Sequence, residues 1–366
     1  MQTLASLPAD HYSDLLCRLP PTVDLDQLAK QTKAIQRKRE LADGASLLRL
    51  ALARGPGGLS LSQTAAWAEL IGLAGLSDPA VKYRLDKAVP FLKAVMERQL
   101  AAHAGTAALR WAGRILRAGD GTNIKQRASK GTDWRVHGVF DLGSGGFSHL
   151  ELTDKHGAES VDRGAPIPGE VRIVDRNYAR APGLQQFRQD SAEQADFIVR
   201  VRWKAFSLGL PDGAPFSLIE HLRALPDDTL PHEIMVRAKV KVGQPELPLR
   251  LIILRKSPEA TEAARDKMRR EAPRKQKKLD PRSLIAAEFL ILATSLPADQ
   301  YPAEAVLAVY RLRWQIELAF KRLKSLLHID RLPTHTVEAS RSWLYAHLIL
   351  ALLCDEISQE FLESSP

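Results

Sequence analysis

The sequence predicts a mixed α/β protein: an all-helical segment comes first, a sheet follows, and the sheet's last acid-bearing helix arrives only after a β-rich insertion. Three observations predict it. Apolar residues recur at helical spacing from residue 1 to about 105, short alternating runs with glycine turns follow to about 198, and helical spacing returns between residues 304 and 327. The expected organisation is 1–105 helical, 106–198 first part of the core, 199–280 β-rich insertion with a basic segment, 281–335 last part of the core, and 336–366 a C-terminal helix.

At 366 residues and 45% hydrophobic composition the chain can bury a sizeable core. No apolar run approaches the roughly 18 residues of a membrane span. The first twenty residues carry Asp10, Asp14 and Arg18 where a secretory leader would be apolar. A cytoplasmic protein with no membrane partner is expected. An excess of 52 Lys and Arg over 43 Asp and Glu, with a pI near 9.5, favours a polyanionic partner. Cys17 and Cys354 have neither CxxC nor zinc-ligand spacing and read as small core residues, so any metal must be held by oxygen.

In order, Leu25 to Leu52 has helical spacing with Lys33, Arg37, Lys38 and Arg39 facing out, and Gly55 to Gly58 ends that unit. An amphipathic segment from Ala65 to Ile71, a glycine turn from Gly72 to Gly75, and a new start with Ser77 as a possible cap and Pro79 in the first turn come next. The following helix exposes Lys82, Arg84 and Lys87. That is the pattern of a helix-turn-helix whose second helix enters a major groove, and equally of two antiparallel helices in a bundle.

Arg114 to Ala118 then runs into Gly119-Asp120-Gly121-Thr122, Trp134 to Leu142 and Phe147 to Leu152 alternate, and Val171 to Val174 leads into Asp175-Arg176-Asn177-Tyr178 before a helix from Pro182. Both aspartates are expected at strand ends, each in a context that would also suit a plain turn residue. His137 reads as a strand histidine with a local hydrogen bond. Phe197 to Phe206, Glu233 to Val242 and Leu247 to Leu254 read as strands of the insertion, which closes in a basic run holding Arg265, Lys267, Arg269, Arg270, Arg274, Lys275, Lys277, Lys278 and Arg282. Such a run is a solvated face or a phosphate-contact arm. Leu284 to Thr294 is apolar helix or strand, and a final helix spans Ser342 to Ile357.

Tyr310 to Lys324 reads as one continuous helix. At about 100° per residue, Leu312, Ile316, Ala319, Leu323, Leu326 and Leu327 form an apolar side, while Tyr310, Arg313, Glu317 and Lys324 share an arc of roughly 60° opposite it. An exposed face with a Glu317–Lys321 pair would account for this.

The spacing itself, Tyr310, Arg313, Glu317 and Lys324, resembles the signature of the IS4-type DDE transposases, and Val174 to Tyr178, His137 to Leu142, Arg200 to Lys204 and Leu290 to Leu296 look like further blocks of that family. The resemblance implies an RNase H-like catalytic core behind a helical DNA-binding domain. It implies that Asp120, Asp175 and Glu317 hold two Mg²⁺ ions, with Mn²⁺ as a substitute, and that Tyr310, Arg313, Lys324, Lys321 and Arg176 bind DNA. Two ions held by short carboxylates can stabilise both the attacking and the leaving oxygen of an in-line displacement. It further implies binding of double-stranded transposon ends and target DNA, cut-and-paste transfer by a homodimer in a synaptic complex, and work at the nucleoid. The rivals are a non-catalytic DNA-binding protein or repressor on a decayed scaffold, and a plain metal-dependent nuclease. One departure stands out: some relatives carry a Trp before the strand that precedes the Glu helix, where this chain has Phe289 and Leu290, with Trp203 and Trp314 as other candidates for stacking on a base.

Overall fold

The computed structural model describes residues 11–363 other than 38, 39, 104–109, 128, 130, 275, 277, 328 and 330. Asp10, Lys38, Arg39, Lys275 and Lys277 therefore lie outside the described residues, as do the side chains of Leu326 and Leu327. Six helices come first: α1 (His11–Leu16), α2 (Leu25–Gln31), α3 (Gly44–Arg54), α4 (Leu61–Leu70), α5 (Asp78–Lys87) and α6 (Val89–His103). Side-chain caps start three of them. Asp24, Asp43 and Ser60 each accept a backbone N–H of the first turn, and Ser60 and Gln63 form a reciprocal capping box. The helix expected across Leu25 to Leu52 is broken between Gln31 and Gly44, where Lys33 takes a positive φ of 57° that a helix cannot hold.

The sheet begins with β1 (Arg110–Trp111), β2 (Arg114–Gln126), β3 (Trp134–Asp141), β4 (Gly146–Asp154) and β5 (Glu170–Val174). After a 3-10 turn at Arg176–Tyr178 come α7 (Ala181–Asp190), β6 (Asp196–Arg200), β7 (Leu208–Gly209), α8 (Leu218–Ala224), β8 (His232–Ala238) and β9 (Leu247–Arg255). Then follow α9 (Pro258–Arg274), α10 (Pro281–Ala286), β10 (Phe289–Thr294), α11 (Ala303–Arg311), α12 (Trp314–Leu327), β11 (Arg331–Leu332) and α13 (Val337–Glu363). The order across the sheet is β4-β3-β2-β5-β6-β10-β9-β8-β7. β4, β3 and β2 are antiparallel, and β5 and β6 run parallel to β2. Three antiparallel strands followed by two parallel ones is the RNase H-like arrangement. The β-rich insertion extends that same sheet, because β9 pairs along the whole of β10. The apolar stretch at Leu284 to Thr294 is part helix and part strand.

Three apolar cores hold the layers together. One joins α2 to α6, the inner face of β2 to β4, α12 and α13; a second lies under α7, α8 and β8 to β10; the third packs α11 on the opposite face. α13 is longer than expected and lies against α3, α5 and α6, so the C-terminal helix belongs to the helical layer rather than standing apart. At roughly 1.5–3 kcal/mol for each fully buried large apolar side chain, Leu344, Leu348 and Ile349 alone anchor it firmly.

Several expectations need correction here. Cys17 and Cys354 are exposed rather than in the core, one past the useful face of the short α1 and the other on the outward side of α13. Asp120 does not end a strand. β2 runs through the glycines because β3 pairs with it continuously from Arg117 to Ile124. The single helix over Tyr310 to Lys324 is two: backbone bonds Leu312 to Val309, Arg313 to Tyr310, Gln315 to Leu312 and Ile316 to Arg313 all skip three residues rather than four. Such tightened turns advance each residue by more than 100°. Leu312 consequently faces out and Tyr310 turns inward, the reverse of their expected sides.

Candidate active site

Asp120 and Asp175 are brought together by register. β2 and β5 are parallel, and their last paired residues are Gly119 and Val174, so the next residue of each strand is an aspartate. A Cβ at Gly119 would lie 2.9 Å from the Val174 side chain, which explains why glycine precedes Asp120. Val171, Ile173 and Val174 are fully buried, fixing β5 and with it the exit point at Asp175.

Glu317 arrives from α12. Gly138 on β3 pairs directly with Asp120, and a Cβ there would meet Phe320 and Phe147 at 2.9 Å. The bare glycine is the seat on which Phe320, one turn beyond Glu317, rests. Ile316, Ala319 and Leu323 bury the same side of α12.

Arg313 is the group that all three acids influence or answer to: it acts on Asp120, bonds Glu317 and is raised by Asp175. Burial pushes the Asp120 carboxyl up to about 6; the Gly121 N–H, 2.8 Å from Oδ1, and Arg313 oppose the shift, while Glu317 and Glu159 add to it. Glu317 is exposed and accepts a 2.6 Å hydrogen bond from Arg313, so its partner is Arg313 and not Lys321. Burial works against the Arg313 charge, but Tyr310, Glu317 and Asp175 outweigh it and hold the guanidinium above its ordinary value. Tyr310 is raised by its burial and by Asp175. Its hydroxyl and Arg313 Nε are buried without a well-formed hydrogen bond among the described residues, though close enough to influence each other. Lys321 is exposed, Lys324 and Arg176 are half-buried, and none of the three has an ion pair among the described residues.

Whether this set suits divalent cations turns on its donors. Three carboxylates supply hard oxygen ligands, and Asp120, with raised proton affinity and a backbone N–H on its oxygen, is a half-buried carboxylate with no ion-pair partner among the described residues. Among the described residues no three such side chains converge tightly enough to form a ready-made metal cluster. Glu317 Oε1 is engaged by Arg313, so Asp120, Asp175 and Glu317 would be the residues to hold an ion there. The residue types fit divalent cations on chemistry and sequence order.

Other sequence candidates fall differently. His137 is buried, shares a 3.0 Å hydrogen bond with Thr153, and is lowered to about 4 chiefly by burial, so it stays neutral. Phe289 is buried under the Arg255 guanidinium, in the core. Trp314 is 49% exposed at the start of α12, and Trp203 donates to Ser283 between Lys204 and Arg282. Ser77 sits at the N-cap of α5 without a capping bond; Lys82 pairs with Asp86 and Arg84 with Glu40, while Lys87 is exposed. In the basic segment Arg265 and Arg269 are spent on Glu262, Asp266 and Glu288.

Sequence reasoning missed Arg172 and the loop it holds. Arg172 is buried on β5, paired with Glu170, and donates to the carbonyls of Val161, Arg163 and Gly164. Arg135 and Arg163 add bonds to Gly157 and Ala158. The clamped loop presents Glu159 beside Gly121. A lone arginine between Val171 and Ile173 was the available signal.

Residues 111–353 match the family described as Transposase DDE domain. The chain is 38% identical over 361 residues to InsL of insertion sequence element IS186A of Escherichia coli K12, named as a transposase, covering 98% of this chain and 96% of that one. It is equally 38% identical over 362 residues to the transposase of IS421 of Escherichia coli, with the same coverage. A 24% identity over 218 residues links it to the transposase of IS231F of Bacillus thuringiensis subsp. israelensis, covering 59% of this chain and 40% of that one. Overlay on the piggyBac transposase of a synaptic complex with hairpin DNA, at TM-score 0.45 and 9% identity over 100% of this chain and 70% of that one, is too remote to add to this.

Proposed function

We propose that this chain, which belongs to the DDE transposase family, binds the inverted terminal repeats of its own insertion sequence and cuts and joins DNA at Asp120, Asp175 and Glu317. It is a DNA transposase with an RNase H-like core, an enzyme of phosphodiester cleavage and transfer that depends on divalent metal. The finer reading is two Mg²⁺ ions, with Mn²⁺ as substitute, at those three carboxylates. The observation that carries it is the adjacency of Asp120 and Asp175 on parallel strands, with α12 seated on the glycine that pairs with Asp120.

Divalent ions at such carboxylates supply an activated attacking oxygen and stabilise the leaving one. The chain's own groups do the rest. Tyr310 and Arg313 offer buried, unsatisfied donors to a phosphate beside the acids. Lys324 and Lys321 continue that cationic face along α12, and Arg176 directly follows Asp175. Arg313 also holds Glu317 until a phosphate draws the guanidinium away. A 3′-hydroxyl released by cutting then attacks the target. Two ends require two copies, so a homodimer forms the synaptic complex. Among the described residues no helix is long and apolar enough to cross a membrane, and the chain works on DNA of the nucleoid, in the cytoplasm.

The test is incubation of purified protein with a labelled terminal repeat and Mg²⁺. Cutting at the repeat boundary is expected, with Glu317→Ala keeping the binding and losing the cut. Parent protein that binds the repeat but never cuts it would favour the non-catalytic end-binder.

A further inference from the structure

A second charged feature lies around the turn that follows Asp175, and none of α12's cations lines it. A cavity of about 590 Å³ is lined by Arg135, Arg176, Arg180, Arg202 and Lys204, with Glu159 as its acid. It runs from the β2–β3 ladder, past the turn after Asp175, to the start of α7 and the segment that follows β6. One end abuts the acids: Glu159 lies beside Gly121, and Arg176 follows Asp175.

The positive charge here is largely uncompensated. Arg135 donates to Asn123 Oδ1 at 2.9 Å and to the Gly157 carbonyl at 2.7 Å, and Arg202 donates to Asn177 Oδ1 at 2.7 Å. Those acceptors are neutral, so they orient the guanidiniums without cancelling them. Arg176 and Arg180 have no side-chain hydrogen bond or ion pair among the described residues, and Lys204 alone meets an acid, Asp280 at 2.8 Å. Guanidiniums fixed side by side repel one another, a cost that a polyanion offsets. The cavity is far larger than one anion needs. Its lining has no aromatic side chain, whereas a groove that reads unpaired bases stacks them on aromatics. Trp203, next to Lys204, lines a separate cavity with Phe206 and Phe216.

We infer that this trough carries a DNA phosphodiester backbone past the acids, as a contact surface separate from the α12 face that holds the transposon end. This rests on the transposase reading for its purpose. The same backbone chemistry has two sources, the host DNA flanking the terminal repeat and the target duplex.

The experiment measures how the affinity of the full chain depends on salt, by fluorescence anisotropy without divalent ions. Three duplexes are compared: a terminal repeat trimmed at its boundary, the repeat with flanking DNA, and an unrelated duplex offered to protein already holding trimmed ends. Each lost phosphate contact lowers the log–log slope by about 0.9. Arg135→Gln with Arg180→Gln lowers it by about 2 on the flanked duplex if the trough holds the flank, or on the unrelated duplex if it holds the target. Arg180→Gln alone, at an exposed residue with no partner to lose, lowers it by about 1. Slopes unchanged on all three duplexes overturn the inference, and so does a slope that falls equally on the trimmed end. Because no cutting is measured, a protein that never cuts DNA yet shows the predicted slopes would sink the catalytic reading and leave the trough standing.

Discussion

Replacing Asp120 by asparagine should stabilise the metal-free protein, and only above the pH at which the aspartate ionises. The carboxyl is raised from 3.8 to about 6, first by burial and then by Glu317 and Glu159. A raised folded value means that the native state binds its proton more tightly than the unfolded chain, so ionisation costs stability. That cost is absent below about pH 4, grows through the interval between the two values, and is complete above about pH 6. Two units at about 1.4 kcal/mol each set it at roughly 3 kcal/mol at most. Asparagine keeps an Oδ1 for the Gly121 N–H and has no charge to bury. Urea unfolding in EDTA at about pH 7.5 and about pH 4 checks this: the variant's midpoint should exceed the parent's at the higher pH, and the two should converge at the lower. A variant less stable than the parent at the higher pH, or an equal difference at both, would refute the reasoning.

Gly138→Ala places a methyl 2.9 Å from Phe320 and Phe147; overpacking of this kind costs about 1–3 kcal/mol. Cleavage should fall much more than end binding, since the shift lands on Glu317; parallel gel-shift and cleavage assays compare the two. Arg172→Leu strips Glu170 of its closest cation and frees three carbonyls of the 161–164 loop. With Arg117 as residual partner at 3.5 Å, a loss of roughly 3 kcal/mol is expected by urea unfolding. Arg313→Ala removes a charged hydrogen bond, worth about 1.5–3 kcal/mol, so end binding should drop by tenfold or more while Mn²⁺ affinity, followed by calorimetry, holds or rises as Glu317 is released. Collapse of the Mn²⁺ affinity would reverse the assigned roles.

What the sequence made legible was what depends on neighbours along the chain. The Tyr310, Arg313, Glu317, Lys324 spacing and the apolar run into Asp175 carry their information locally, the alternating runs mark the strands, and the RNase H-like core was implied by the family resemblance. What it hid depends on partners far away. Gly-Asp-Gly looks like a turn until β3 and β5 are seen to pair on either side of it. The tightened turn at Leu312 and Arg313 arises where α11 and α12 pack on different cores, which no periodicity within the helix announces. Cys17 and Cys354 suit a core by size, yet both are exposed, because a small apolar side chain is buried only if its face of the helix is covered. The arginines of the trough come from three separate stretches of chain, at Arg135, Arg176 with Arg180, and Arg202, and no one periodicity links them.

The most direct measurement of the central claim is strand joining. Purified protein, Mg²⁺, a pre-cut terminal repeat ending in a 3′-hydroxyl and a plasmid target should give covalently joined product. Asp120→Asn, Asp175→Asn and Glu317→Gln should each abolish it while still binding the repeat. Joined product that survives loss of any one of the three carboxylates would contradict their assignment as the site of the chemistry.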